Sequence, residues 1–452
     1  MTTKETKILV YSSTDTNTET LVGILNIYSN LPEIEYSTFE YSNNWLNKPN
    51  AYSLGIDLPL KKGIFKCETT DVLFRTFFVS YLTYIIDFYY EIFLVYAKKN
   101  NLLSDKEGFN ENELYQWLKN AGVRDAKFGR YYDNTFSCAT NLLYQNDISR
   151  CGSLRFKIEG NEQFIQDLAN IKIPNIADID RLIEILNKIK NNTETSEELE
   201  LFHACVSGLN GRKPKTHVFN KAGNLCIAKL SCITDEMFSE YGVEVLALNL
   251  ASKFGIKTQE YSIEETKNGK NFLLIKRFDR KGSKRIPFLK LNAFVESDRV
   301  EDIPSIIKGI KDISKANFRK NANEFFKRSL FRIVITNTNA QIPNTGFLFN
   351  ETQGWLISPE YDLTCGYELR RTPWDMSRIE GFYTRDTRRE IKELMKSRKK
   401  YGISKSVAQL QLARLKRVLT SYKRVALDVG FAKEDLYRIK IFTKCMKYIK
   451  IK

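Results

Sequence analysis

One succession constrains the fold more than any other: a hairpin, a helix and a second hairpin, placed between residues 217 and 280. HVFNKAGNLCIAKL (217–230) and QEYSIEETKNGKNFLLIKRFDR (259–280) each hold two apolar runs joined by a Gly-containing turn, the signature of paired antiparallel strands. Between them EYGVEVLALNLASKFG (240–255) has helical spacing and ends on a glycine suited to a helix C-cap. After residue 300 the chain reads as helical apart from GFLFNETQGWLISPEYD (346–362), two further strands and a turn. Upstream, KILVYSS, TLVGILNIY, IEYSTFEYS and AYSLGIDLPL alternate short apolar runs with turn residues over 7–66 and predict a small β-rich unit. From Asp71 the spacing turns helical, through ENELYQWLKNAG and DIDRLIEILNKIK, interrupted by the short apolar SLRFKIEG. The polar run NNTETSEE (191–198) marks a domain boundary or an exposed turn.

These patterns divide the 452 residues into 1–70 (β-rich), 71–198 (helical), 199–285 (hairpins, helix and a hinge) and 286–452 (mainly helical). A chain of this length can bury several cores, and its composition is that of a folded protein throughout. The most membrane-like run, Val72 to Lys99, is interrupted by Arg75, Asp87 and Glu91, and a span needs about 20 apolar residues in series. It is read as a buried, aromatic-rich helix, with no membrane role. Eight cysteines at scattered positions form no CxxC pair, and only His203 and His217 stand beside them as nitrogen ligands, which argues against a thiolate metal site. No signal sequence opens the chain, so the expected setting is a reducing cytoplasm. The net charge of +16 is densest after Arg370, either a solvated basic face or a surface for nucleic acid or an acidic partner.

Five segments carry candidate chemistry. SGLNGRKPK places Ser207 ahead of Gly208 and Gly211, with Lys213 and Lys215 following; such a loop offers backbone N–H groups and positive charge to phosphates, or is an ordinary basic turn. Lys229 closes the apolar strand NLCIAKL, the placement by which kinases bring an ammonium to the α- and β-phosphates of ATP. Glu244, in the following helix, is the candidate to orient that lysine. FLLIKRFDR is an apolar strand that breaks into charge, as a hinge does, so that Lys276 to Phe278 would edge an adenine and Asp279 would reach a ribose. Last come NTNAQIPN (337–344) and SPEYDL (358–363). Mg2+ takes oxygen ligands and keeps several waters, so Asn344 and Asp362 suffice where substrate phosphates complete the shell.

VGILNIY, EYSNNWL, SLGIDLPLKKGIF, GSLRF, GRKPKTHVF, LLIKRFDR, NTGFL and GWLISPEYDL, in this order, resemble the blocks of the HipA family of serine/threonine kinases, toxins of bacterial toxin–antitoxin pairs. The resemblance spans nearly the whole chain. It implies an α+β, two-lobed protein-kinase-like and PI-kinase-like fold, with an N-terminal β-rich subdomain and a mainly helical C-terminal lobe. It also implies ATP and Mg2+ as cofactors, Lys229 on the phosphates, Lys276–Phe278 as the hinge and Asn344 with Asp362 as metal ligands. Ser207 falls where the family carries an inhibitory autophosphorylated serine. The implied partners are a protein substrate, an aminoacyl-tRNA synthetase being one such, and a HipB-like helix-turn-helix antitoxin, with DNA met only through the antitoxin complex.

One departure stands out. The family pattern is close to NTDDHxKN, whereas this chain has Asn339 at the position of the base aspartate, Gln341 at the histidine and Pro343 at the lysine. An amide does not take a hydroxyl proton at neutral pH, and general-base assistance is worth about 10²- to 10⁴-fold, or about 3–5 kcal/mol of barrier. Two readings stay open: a growth-arresting kinase whose base has been removed, and a natural pseudokinase that holds nucleotide and acts with a DNA-binding antitoxin. A small-molecule or lipid kinase is a third, though nothing in the sequence reads a lipid head group.

Overall fold

The computed structural model describes residues 4–14, 19–30, 33–67, 74–77, 142, 146–165, 173–191, 193–195, 197–198, 201–202, 205, 215–230, 240–296, 302–337, 342, 344–363, 387–434 and 436. They separate into two compact units, one of Met1–Cys232 with Ser262–Pro287, the other of Ile233–Tyr261 with Phe288–Lys452.

The first unit begins with three long strands, β1 (Lys4–Ser13), β2 (Glu19–Asn30) and β3 (Glu33–Tyr41), paired antiparallel as successive hairpins. Period-two alternation turns Ile8 and Val10 inward and leaves Lys7, Leu9 and Tyr11 on the other face. Two further strands, β4 (Ile64–Cys67) and β5 (Leu154–Ile158), complete the sheet in the order β4-β3-β2-β1-β5. Here the structure departs from the sequence expectation. AYSLGIDLPL forms no strand, and β4 is Ile64–Cys67. β5 is Leu154–Ile158, the apolar SLRFKIEG, which lies beside β1 although some 140 residues follow β1 before it. The core under this sheet gathers Val10, Leu25, Phe39, Trp45, Leu58, Phe77 and Phe156. Ser42 caps the short helix Asn43–Leu46, accepting from Trp45 N at 3.1 Å and so setting the indole against that core. Of the Val72–Lys99 run only Phe74–Phe77 is described, a turn whose two phenylalanines are buried; the rest of that run, and Glu111–Gly122, lie outside the described residues.

The second sheet of this unit is β6 (Lys215–Phe219), β7 (Leu225–Lys229), β9 (Asn271–Lys276) and β8 (Tyr261–Glu265), in the order β6-β7-β9-β8. Both expected hairpins are present, because their turns are locally encoded. Asn220 Oδ1 accepts from Ala222 N and Asn224 N, and Gly223 takes φ 73°, which an L side chain resists.

In the second unit the helix Glu240–Phe254 ends at Gly255 as expected and packs against the helices Lys405–Thr420 and Tyr422–Asp428. The long helix Phe318–Val334 buries Phe325, Phe326, Leu330 and Phe331, and Phe331 stacks on Phe254 with ring centroids 6.1 Å apart. A three-stranded sheet consists of β10 (Phe288–Lys290), β11 (Gly346–Asn350) and β12 (Gly354–Ile357). No described helix is long and apolar enough to cross a membrane.

Candidate active site

The register of β6 on β7 sets Lys215 directly opposite Lys229, and β7 on β9 sets Lys229 opposite Leu273. Residues opposite one another in an antiparallel pair share a face with Cβ atoms about 5 Å apart, and like charges so placed repel. Two ammoniums therefore share one end of this sheet. Ser207, Gly208, Gly211 and Lys213 lie outside the described residues, but both sides of their segment are defined. His217 Nε2 lies 2.9 Å from Arg277 Nη1, and Nδ1 lies 2.9 Å from Cys205 O. Arginine only donates, so Nε2 accepts and Nδ1 carries the proton to the carbonyl. Burial, with the Arg277 charge, pushes the imidazole down to about 3, so it stays neutral. The ring ties the residue before the loop to the strand after it.

At the end of β9, Lys276 pairs with Cys226, and Arg277 N donates to Leu225 O at 3.1 Å. Phe278 is half-buried. Asp279 is 2% exposed. Its carboxylate accepts from Gly152 N at 2.7 Å, from Arg277 Nε and Nη2 at 2.7 Å each and from Arg280 Nη1 at 2.9 Å. Burial alone would raise this carboxyl, but the adjoining Arg277 and Arg280 charges outweigh it and hold the group well below the usual carboxylate range. Both oxygens are thus employed inside the protein rather than offered to a ribose. The same arginines reach into the loop 147–152: Arg277 donates to Ser149 O, Arg280 to Ile148 O and Arg150 O, and Arg285 to Asp147. Sequence reasoning missed this network. The charged end of FLLIKRFDR fits a hinge, yet Arg277 and Arg280 flanking Asp279 are also what a buried guanidinium–carboxylate cluster requires.

In the second unit Glu244 is 3% exposed, and its Oε1 accepts from Gln259 Nε2 at 3.4 Å. Lys229 belongs to the first unit and Glu244 to the second. Asn339 and Gln341 lie outside the described residues. The metal candidates are brought together: Asn344 Nδ2 donates to Asp362 Oδ2 at 2.8 Å. Two residues other than glycine take positive φ among the described residues, Thr336 at 62° just before the candidate segment 337–344 and Asp362 at 54°. Left-handed backbone at a β-branched residue is costly and persists where the surroundings enforce it. Among the described residues no group of three or more His, Cys, Asp or Glu is placed to hold a metal. One carboxylate beside one amide oxygen, near solvent, fits Mg2+ that takes most of its shell from phosphates and water, and does not fit a dedicated protein cage.

Behind this pair lies a cluster that sequence reasoning did not single out. Arg332 Nε donates to Glu360 Oε1 at 2.5 Å and Nη2 to Tyr361 O at 3.4 Å. Arg328 Nη2 donates to Ser358 O at 2.8 Å, and its Nη1 lies 2.8 Å from Glu360 Oε2. The signal available was two arginines at i and i+4 within FFKRSLFRIV, on a helix otherwise buried along that stretch.

Residues 207–422 match the model of the HipA-like C-terminal domain. Among solved structures, the chain resembles HipA of the Shewanella oneidensis MR-1 toxin–antitoxin system, determined with HipB and its operator DNA. There the TM-score is 0.53 and the identity 12%, over 98% of this chain and 96% of that one. It also matches the Helicobacter pylori proinflammatory kinase CtkA at 12% identity, over 52% of this chain and 90% of that one, with a TM-score of 0.35. No functionally characterised protein matches it by sequence. Residues 207–422 thus resemble the HipA-like C-terminal domain, in a chain whose α+β fold is similar to that of HipA.

Proposed function

We propose that the chain binds MgATP on a serine/threonine protein kinase scaffold of the HipA toxin type. The observation that carries the reading is the Asn344–Asp362 pair, hydrogen-bonded at 2.8 Å with Asp362 in left-handed backbone. An amide oxygen and a carboxylate held together at the end of a β-hairpin are the ligands a kinase presents to the metal that travels with the nucleotide. Lys215 and Lys229 supply the cations for its phosphates, with Gly208, Gly211 and Lys213 in the adjoining loop. Lys276 to Phe278 edge the adenine. Mg2+, when bound, neutralises charge developing on the transferred phosphoryl group. The protein's own part is to place the phosphates and to exclude a competing water.

In the transfer itself the γ-phosphoryl group leaves ADP and joins a serine or threonine hydroxyl, whose proton needs an acceptor. Asn339 stands at that acceptor position and does not serve. This chain therefore binds nucleotide and transfers phosphate slowly. The substrates of the active form are a bacterial protein, such as an aminoacyl-tRNA synthetase, and the protein itself at Ser207. The partner is a HipB-like antitoxin that carries the contact with DNA, and the setting is cytoplasmic.

The test is Asn339→Asp with labelled ATP. Incorporation of label should rise by about 10²- to 10⁴-fold over the unsubstituted chain, at unchanged affinity for MgATP. Intact binding with no label in Asn339→Asp would select the second reading, a nucleotide-holding pseudokinase. The observation favouring that one is the joint departure of Asn339, Ala340, Gln341 and Pro343 from the family pattern.

A further inference from the structure

We propose that Arg332, Arg328 and Glu360 are positioning residues for the metal pair, a buried cluster that fixes Asp362 and Asn344 relative to one another; this rests on the MgATP reading. Arg332 has no exposed surface and Glu360 is 1% exposed, so neither meets a ligand directly. Arg332 bonds the residue that opens the 337–344 segment and the residue that precedes Asp362. Its backbone carbonyl accepts from Asn337 N at 2.8 Å, anchoring the start of the segment that ends at Asn344. Its guanidinium holds Glu360 and the carbonyl of Tyr361, the residue before Asp362.

Arg328, one helical turn earlier, secures Ser358 O and the second oxygen of Glu360. Residues 358, 360 and 361 are thereby tied to one face of the helix Phe318–Val334. Glu360 is fixed from the opposite side through its backbone, since its N donates to Lys257 O at 2.8 Å and its O accepts from Gln259 N at 3.0 Å. Gln259 in turn donates to Glu244. The carboxylate read as orienting Lys229 is therefore joined by hydrogen bonds, within one unit, to Glu360, two residues before the carboxylate read as binding metal.

The chemistry of the cluster argues for geometry over strength. Replacing a buried ion pair by well-packed apolar side chains is often neutral or stabilising, so burying two guanidiniums and a carboxylate is a poor way to hold a helix on a hairpin. A guanidinium fork that bonds particular carbonyls does what an apolar contact does not: it sets the rotation of the peptides it grips. The left-handed φ of Asp362 immediately follows the gripped peptides, where such enforcement is needed.

The test uses the full chain and reads the ratio of ATP affinity with Mg2+ to that with EDTA, by calorimetry, for wild type, Arg332→Lys and Glu360→Gln. Arg332→Lys keeps the charge and loses the fork; Glu360→Gln keeps the volume and loses the charge. Residues that orient metal ligands typically matter about 10- to 100-fold in metal affinity, so the ratio should fall by that factor in both variants while affinity in EDTA stays within about threefold. A lowered melting temperature with an unchanged ratio would mark the cluster as merely structural and overturn the proposal, as would failure of both variants to fold. A wild-type protein without any magnesium effect would instead remove the MgATP reading beneath it.

Discussion

Replacing Asp279 by asparagine separates two jobs for this residue, and the structure gives the size of the effect. The carboxylate accepts four hydrogen bonds at 2.7–2.9 Å, three of them from Arg277 and Arg280. Asparagine keeps the shape and one acceptor oxygen, but removes the charge and turns an NH2 group toward a guanidinium. Breaking a buried ion pair by removing one partner costs about 3–5 kcal/mol. Arg277 would retain Ser149 O, and Arg280 would retain Ile148 O and Arg150 O, which places the loss near the lower end, about 3 kcal/mol. For a unit of this size each kcal/mol shifts the melting temperature by about 2–4 °C, so scanning calorimetry should register a fall of about 6–12 °C. Affinity for MgATP, measured at a temperature where both forms are folded, should change by less than about threefold, because the carboxylate faces inward. The opposite result, a fall of less than about 2 °C with a tenfold loss of ATP affinity, would show that Asp279 serves the nucleotide and would refute this reasoning.

The neutral His217 should make the first unit acid-sensitive. Its folded pKa is depressed to about 3 from 6.5, so the unfolded chain binds the extra proton first, and stability is complete above about pH 6.5 and falls by about 1.4 kcal/mol per unit as pH drops toward 3; urea titrations of wild type and His217→Gln at pH 7 and pH 5 check the slope. Lys215→Met should lower ATP affinity, measured by calorimetry, and an unchanged affinity would count against the lysine pair. Gly309→Ala should destabilise by about 1–3 kcal/mol despite the better helix propensity of alanine, because its Cβ would stand 2.9 Å from the carbonyl oxygen of Phe294, a backbone atom with little freedom to withdraw; thermal unfolding reads the sign.

What the sequence revealed follows the range of the interactions that encode it. The hairpins of β6–β7 and β8–β9 depend on KAGN and KNGK turns, so a window of a dozen residues contains their whole determinant. The partner of β1 in β5 depends on strands far apart in the chain, and nothing local to SLRFKIEG says which edge it will join. The site divides the same way. Asn344 and Asp362 are legible because a short hairpin holds them at a fixed spacing, and the structure brings them to 2.8 Å. Asp279 is not, since a carboxylate awaiting a sugar and one enclosed by arginines look alike in a string of letters. Glu360 is hidden for a related reason: its meaning comes from Arg328 and Arg332, on a helix that precedes it by about thirty residues.

The backbone also bears on whether this site has fallen out of use. Left-handed φ at residues other than glycine costs about 1–3 kcal/mol each, and two such residues among those described, Thr336 and Asp362, adjoin the segment 337–344 and the proposed metal ligand. A fold with no ligand to place there would gain stability by relaxing either one. Asn339 changes only the proton acceptor; it leaves Lys215, Lys229, Asn344 and Asp362 in the chain. Loss of the acceptor raises the barrier to transfer by about 3–5 kcal/mol, while ground-state binding depends on the groups that remain. Strained geometry kept at this segment accords with the proposed MgATP site, whose corresponding expectation is a melting temperature that rises with MgATP in the unsubstituted chain, since a ligand held by the native state alone stabilises it by about 2.7 kcal/mol at a hundredfold excess over Kd.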